Sequence, residues 1–135
     1  MSDEQSNIAI VQDLYASLSK GDTAHVQEAL LDDQVLLQVS GSHHSHAREH
    51  TGSQDTASYV PFVQSLASDV TIEPETIAAA GDQVFAVLHI QGHRTDAPSR
   101  ALDVREVQVF TLANGKITQV TNYSGDQQAK DEFFA

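Results

Sequence analysis

The sequence predicts an α+β fold, and three observations carry the prediction. Apolar residues at helical spacing are confined to the first half of the chain. Alternating or continuous apolar runs fill residues 70–123. Those runs are separated by short turn signals, of which Asn114-Gly115 is the strongest. Strands gathered after helices argue for α+β rather than for alternating units with a parallel sheet. The expected architecture is a curved antiparallel sheet with three N-terminal helices packed on one face, enclosing a pocket. With 135 residues, the chain is expected to form one domain over 1–135.

The elements follow in order. Ile8, Val11, Leu14, Tyr15 and Leu18 recur at three- and four-residue steps, one face of a helix over about 5–20. Lys20 and Gly21 form a basic last turn and a glycine stop. Asp22 or Thr23 caps a second short helix, with Val26, Ala29 and Leu30 inward, and Asp32-Asp33 ends it. Residues 35–39 read as a strand and 40–53 as a loop. A third helix is expected over 54–67, where Pro61 lies in the first turn or kinks the helix. Strands then run over 70–80 with an interruption at Pro74, over 84–93, over 100–112 and over 116–123. A short helix over 127–134 closes the chain.

Composition restricts the partners. Seven basic residues against 19 acidic ones give a formal charge of −12, which repels phosphate backbones and anionic lipid. No nucleic acid and no membrane partner is expected. The absence of cysteine removes thiol nucleophiles, thiolate metal sites and disulfides. The acidic, polar start Met1-Ser2-Asp3-Glu4-Gln5 is unlike a signal peptide, so the expected location is the cytoplasm. His43, His44, His46 and His50 are the densest cluster of metal-binding side chains. They fall in a Ser/Gly-rich loop with no regular element to hold them. The reading is a mobile lid over the pocket mouth; no metal and no cofactor are expected.

Residues 10–22, Ile-Val-Gln-Asp-Leu-Tyr-Ala-Ser-Leu-Ser-Lys-Gly-Asp, resemble the first helix of the nuclear-transport-factor-2-like superfamily. Residues 29–35, the strand pair Leu102–Phe110 and Lys116-Ile117, and the ending from Tyr123 to Phe134 resemble the parts that follow, the last being similar to tails of SnoaL-like proteins. The resemblance implies the cone-shaped fold and a homodimer formed through the outer sheet face. It does not imply one activity, because the superfamily hosts ketosteroid isomerases, polyketide cyclases, epoxide hydrolases and non-enzymes.

Three chemistries can be carried over residue by residue. The ketosteroid isomerase type needs a carboxylate base, a tyrosine and a protonated aspartate. Gln38 stands at the base position, Tyr15 is one residue off the tyrosine position, and Val107 or Gln108 takes the aspartate's place. That chemistry is rejected. The limonene epoxide hydrolase pattern falls on His89, Gln91 and Asn122, without its carboxylates. The cyclase type uses one aspartate, for which Asp103 is a candidate.

A two-residue turn at Asn114-Gly115 pairs positions that sum to 229, so Asn122 is expected opposite Val107. Asp103, Arg105, Val107, Val109, Val120 and Asn122 then share the pocket face with His89 and Gln91. Leu102, Val104, Glu106, Gln108 and Phe110 are left for a dimer interface. On this reading Asp103 and His89 are the candidate catalytic groups. Arg105, Gln91, Asn122, Gln38, Tyr15 and Val107 bind substrate. Against it stand a structural Asp103–Arg105 ion pair and a hydrogen-bonded core His89. Tyr15, Tyr59, Phe62 and Phe85 either line the pocket or are plain core. The expected function is capture of a small apolar or polyketide-like molecule, with acid–base isomerase, cyclase or hydrolase chemistry; a non-catalytic ligand-binding or accessory role is the alternative.

Overall fold

The computed structural model describes residues 3–38, 49–53, 56, 67–97 and 99–134. The fold is α+β. Helix α1 spans Asp3–Lys20 and α2 Thr23–His25, which widens into a π turn at Val26–Leu30. The strands are β1 (Leu31–Gln38), β2 (Glu49–Thr51), β3 (Ala67–Ala80), β4 (Gln83–Arg94), β5 (Ala101–Ala113) and β6 (Lys116–Ser124). Helix α3 spans Gln127–Phe134. All six strands join one curved sheet in the order β2-β1-β6-β5-β4-β3.

The sheet departs from the expected antiparallel one. β1 runs parallel to β6, so the sheet is mixed. Two helical segments, not three, precede the sheet among the described residues; the helix expected over 54–67 lies almost wholly outside them. The region expected to be all loop contributes β2, whose His50 backbone pairs with Leu37. The first strand begins at Leu31, earlier than expected, directly after the π turn ends at Leu30, and it takes in Asp32. The Asp32 carboxylate accepts from the Gln34 amide at 2.9 Å, and the ladder absorbs the extra residues between Leu31 and Leu36.

The turns follow their residues. Gly21 has φ +74° and its N–H reaches the Leu18 carbonyl, while Asp22 N–H reaches that of Ser17. This is the paired closure that glycine permits after a helix. Asn114 and Gly115 have φ of 54° and 79°, the conformation of a two-residue hairpin turn.

Alternation sorts the sheet into two faces. Val84, Ala86 and Leu88 of β4, Phe110 and Leu112 of β5, and Ile117 and Val120 of β6 are buried with Val11, Leu14 and Tyr15 of α1. Leu102 and Val104 pack against Phe133 of α3. The described helices therefore cover the even-numbered face of β4 and β5. Arg94 fixes the end of α3: its guanidinium donates to the Phe133 carbonyl and to both oxygens of Asp96. Arg100 donates to the Glu132 carbonyl. Cations at these carbonyls complement the negative end of the helix dipole.

Asp13 ties α1 to α2. It accepts from Ser17 Oγ at 3.0 Å, and its other oxygen lies 2.9 Å from His25 Nε2. The hydrogen bond to His25 holds the Asp13 carboxyl below its ordinary 3.8, and the same bond raises His25 above 6.5. The His25 contribution is full below pH 6.5 and is lost as pH rises through the raised folded value. The Asp13 contribution is full above pH 3.8 and is lost as pH falls through the lowered folded value. The melting-temperature difference between wild type and His25→Gln is therefore expected to peak between those limits. A difference that stays constant from mildly acidic to alkaline pH contradicts this account.

Candidate functional site

A bulge decides which residues face the helices. Ala113 pairs with Lys116 and Leu112 with Ile117, as the turn dictates. The register then shifts, and Thr111 pairs with Gln119, which leaves Thr118 unpaired. Beyond it Asn122 faces Gln108, not Val107. A one-residue slip moves every later side chain to the other face. Asn122 and Val120 consequently lie with Gln108 and Phe110 under the helices, and Tyr123 and Thr121 lie with Val107 and Val109 on the outer face.

This corrects the expected pocket. His89, Gln91, Asp103, Arg105 and Val107 do not share a face with Asn122. Paired His89–Arg105, Gln91–Asp103 and Val87–Val107 stand on the outer face. His89 Nε2 lies 2.6 Å from Asp103 Oδ1, and Gln91 donates to Asp103 Oδ2 at 3.3 Å. The His89 bond, with that of Gln91, holds the Asp103 carboxyl below its ordinary value. Arg105 donates twice to Glu75 rather than to Asp103. Gln38 is also on the outer side, accepting from Thr121 Oγ1 at 3.3 Å. The catalytic and binding roles expected of this group depend on facing the interior, and they are not carried forward. Leu102, Val104, Glu106, Gln108 and Phe110, expected at a dimer interface, instead form the inner face.

Two expected residues do reach the interior, Tyr15 and Asn122. Tyr15 Oη donates to Gln108 Oε1 at 2.5 Å, and Gln108 Nε2 donates to Asn122 Oδ1 at 2.9 Å. Tyr15 comes from α1, Gln108 from β5 and Asn122 from β6, so one polar chain links helix and sheet. Burial pushes the Tyr15 phenol far above its ordinary range, and the charge of Glu106 adds to the shift. The phenol therefore remains a neutral O–H donor at physiological pH. Its ring meets Phe110 edge-on at 6.1 Å between centroids.

Glu106 was missed in the sequence. It is 3% exposed and stands two residues before Gln108 on the inner face. The signal was present: Leu102, Val104, Phe110 and Leu112 make that face of β5 the more apolar, and Glu106 and Gln108 interrupt it. Polar groups inside an apolar stripe are the informative ones. His43, His44, His46, Tyr59 and Phe62 lie outside the described residues. No group of three or more His, Asp or Glu side chains that could hold a metal ion occurs among the described residues. No described helix is long and apolar enough to cross a membrane.

Comparison with known proteins agrees with this fold. Residues 11–120 match the family model described as a SnoaL-like domain. An uncharacterized protein of Mycobacterium tuberculosis (strain ATCC 25618 / H37Rv) is 25% identical over 135 residues, covering 98% of both chains. Two solved structures share the fold. Bal32a, from a soil-derived mobile gene cassette, has a TM-score of 0.90 at 20% identity, covering 99% of this chain and 100% of its own. An NTF2-like protein from Burkholderia xenovorans LB400 has a TM-score of 0.87 at 22% identity, covering 98% of each chain.

Proposed function

We propose, on the premise that the chain belongs to the SnoaL-like domain family, that it takes up a small, largely apolar molecule between its sheet and its helices. The space this requires is a cone closed by the curvature of the sheet. The polar chain Tyr15–Gln108–Asn122 carries the reading. A few convergent polar groups in an apolar lining fix the orientation of a small ligand. Here they offer a phenol and two carboxamides, which suit a carbonyl or hydroxyl oxygen. The apolar body of the ligand lies against residues such as Phe110 and Leu88, both nearly fully buried.

Acid–base turnover of the captured molecule, as isomerisation, cyclisation or hydrolysis, is the first form of this reading, because a carboxylate and a phenol both occur on the inner face. Capture without turnover is the second. It is favoured by Gln108 and Asn122, whose amides hold an oxygen but exchange no proton at neutral pH. The action is placed in the cytoplasm.

2-Naphthol tests the reading, since it combines an apolar body with one hydroxyl. The protein lacks tryptophan, so the naphthol fluorescence is read directly. Saturable binding is expected, weakened about fivefold to tenfold in Tyr15→Phe, which removes a hydrogen bond worth roughly 1–1.5 kcal/mol. Binding unaffected by Tyr15→Phe sinks the assignment of the site.

A homodimer through the outer sheet face completes the proposal. Phe85 is 37% and Tyr123 58% exposed there, beside the valines at 87, 107 and 109. Sedimentation of Tyr123→Glu is expected to give monomers where wild type gives dimers. A monomeric wild type removes this part of the reading.

A further inference from the structure

The polar chain on the inner face has a direction. Gln108 Oε1 carries no hydrogen, so the neutral Tyr15 hydroxyl donates to it across 2.5 Å. That sets the Gln108 carboxamide, whose Nε2 donates to Asn122 Oδ1 at 2.9 Å. The chain runs from α1 to β6 and ends on the amide N–H groups of Asn122. Among the described residues these have no acceptor: the hydrogen bond of the Asn122 side chain is the one its oxygen receives. Asn122 is nevertheless only 6% exposed. Its neighbours on the same face of β6 are Val120, which is apolar, and Ser124, whose Oγ accepts from the Asp126 amide. Glu106, opposite Ser124, has an interaction of its own. We propose, resting on the interior site described above, that Asn122 selects the ligand's oxygen. The preferred oxygen accepts a hydrogen bond and carries no hydrogen, as in a ketone, a lactone or an N-alkyl lactam, rather than an alcohol.

Three considerations support this. A buried N–H without a partner is rarer and costlier than a carbonyl with a spare lone pair, so an occupant that brings an acceptor gains most. Each bond in the chain also polarises the next, which strengthens the terminal N–H as a donor. Finally, a hydroxyl brings a hydrogen together with its lone pairs, and both carboxamide oxygens of the chain already hold a donor. An alcohol then shares a used oxygen or buries its hydrogen without a partner. The register shift beside Thr118 is what makes this selection available, because it turns Asn122 toward Gln108.

1-Tetralone and 1-tetralol test the proposal, since they share a ring system and differ at one oxygen. Each is titrated calorimetrically into the full-length protein at neutral pH, the alcohol as separate enantiomers. The ketone is expected to bind about fivefold more tightly than the better enantiomer, the worth of one hydrogen bond. Asn122→Leu removes the terminal donor at similar volume. It is expected to bring the two ligands within about twofold of each other, mainly by weakening the ketone. Equal binding by wild type, or preference for the alcohol, overturns the proposal and leaves the interior site standing. A ketone preference that persists in folded Asn122→Leu does the same. Infrared spectroscopy needs no variant: the carbonyl stretch of bound, isotope-labelled tetralone is expected below its value in cyclohexane, and an unshifted stretch overturns the proposal. Binding of neither molecule removes the interior site as well.

Discussion

Gly125→Ala is expected to lower the unfolding free energy by roughly 2–3 kcal/mol, near the upper end of ordinary single substitutions. A Cβ at Gly125 would stand 2.7 Å from the backbone oxygen of Arg105, closer than such atoms approach. The Gly125 N–H donates to that same oxygen at 2.8 Å, so the alanine cannot retreat without losing the last rung between β5 and β6. The carbonyl belongs to a strand paired on both sides and cannot yield as a side chain would. The strain extends to α3, which begins two residues later and seats Phe133 on Leu102 and Val104. For a chain of this length the loss corresponds to a fall in melting temperature of roughly 6–12 °C. Gly81→Ala is the control. It meets no atom within 4 Å, and its φ of +62° makes it costly only for its backbone conformation, about 1 kcal/mol. Equal melting temperatures for the two variants contradict the account of Gly125.

The second large effect belongs to Gln108. Gln108→Leu leaves the Tyr15 hydroxyl without its acceptor and Asn122 Oδ1 without its donor. Each stranded polar group costs roughly 1–3 kcal/mol, and the apolar gain of leucine offsets part of that. A net loss of about 2 kcal/mol is expected in urea unfolding. Tyr15→Phe alone removes one of the two bonds. If the three groups act as one chain, the double variant loses less than the sum of the single ones, by about 1 kcal/mol. Strict additivity contradicts the chain.

The sheet illustrates what could be read from residues. Asn114-Gly115 announced its turn, and the alternation through β4 and β5 placed like-facing residues together along each strand. The relation between β5 and β6 was not legible, because Thr118 bulges without any glycine or proline to mark it. That single residue moved Asn122 from Val107 to Gln108. It also separated Asp103 and His89 from the interior they were expected to line. Within β5 the choice of inner face was legible in principle: Leu102, Val104, Phe110 and Leu112 outweigh Val107 and Val109 in apolar surface. The charges of Asp103 and Arg105 drew attention to the wrong face, where an ion pair with Glu75 and a bond to His89 account for them. Tyr15 was placed correctly because its position on α1 follows from helical spacing alone. The parallel pairing of β1 with β6 had no local signal, since it joins segments about 80 residues apart.

The central claim is that the helix-covered face of the sheet holds the ligand through Tyr15, Gln108 and Asn122. A crystal structure of the protein grown with 2-naphthol tests it most directly. The account predicts the naphthol rings between α1 and the sheet, with the hydroxyl within hydrogen-bond distance of Asn122 or Tyr15. Naphthol bound beside His89 and Asp103 on the outer face, with the interior filled by side chains, would contradict it.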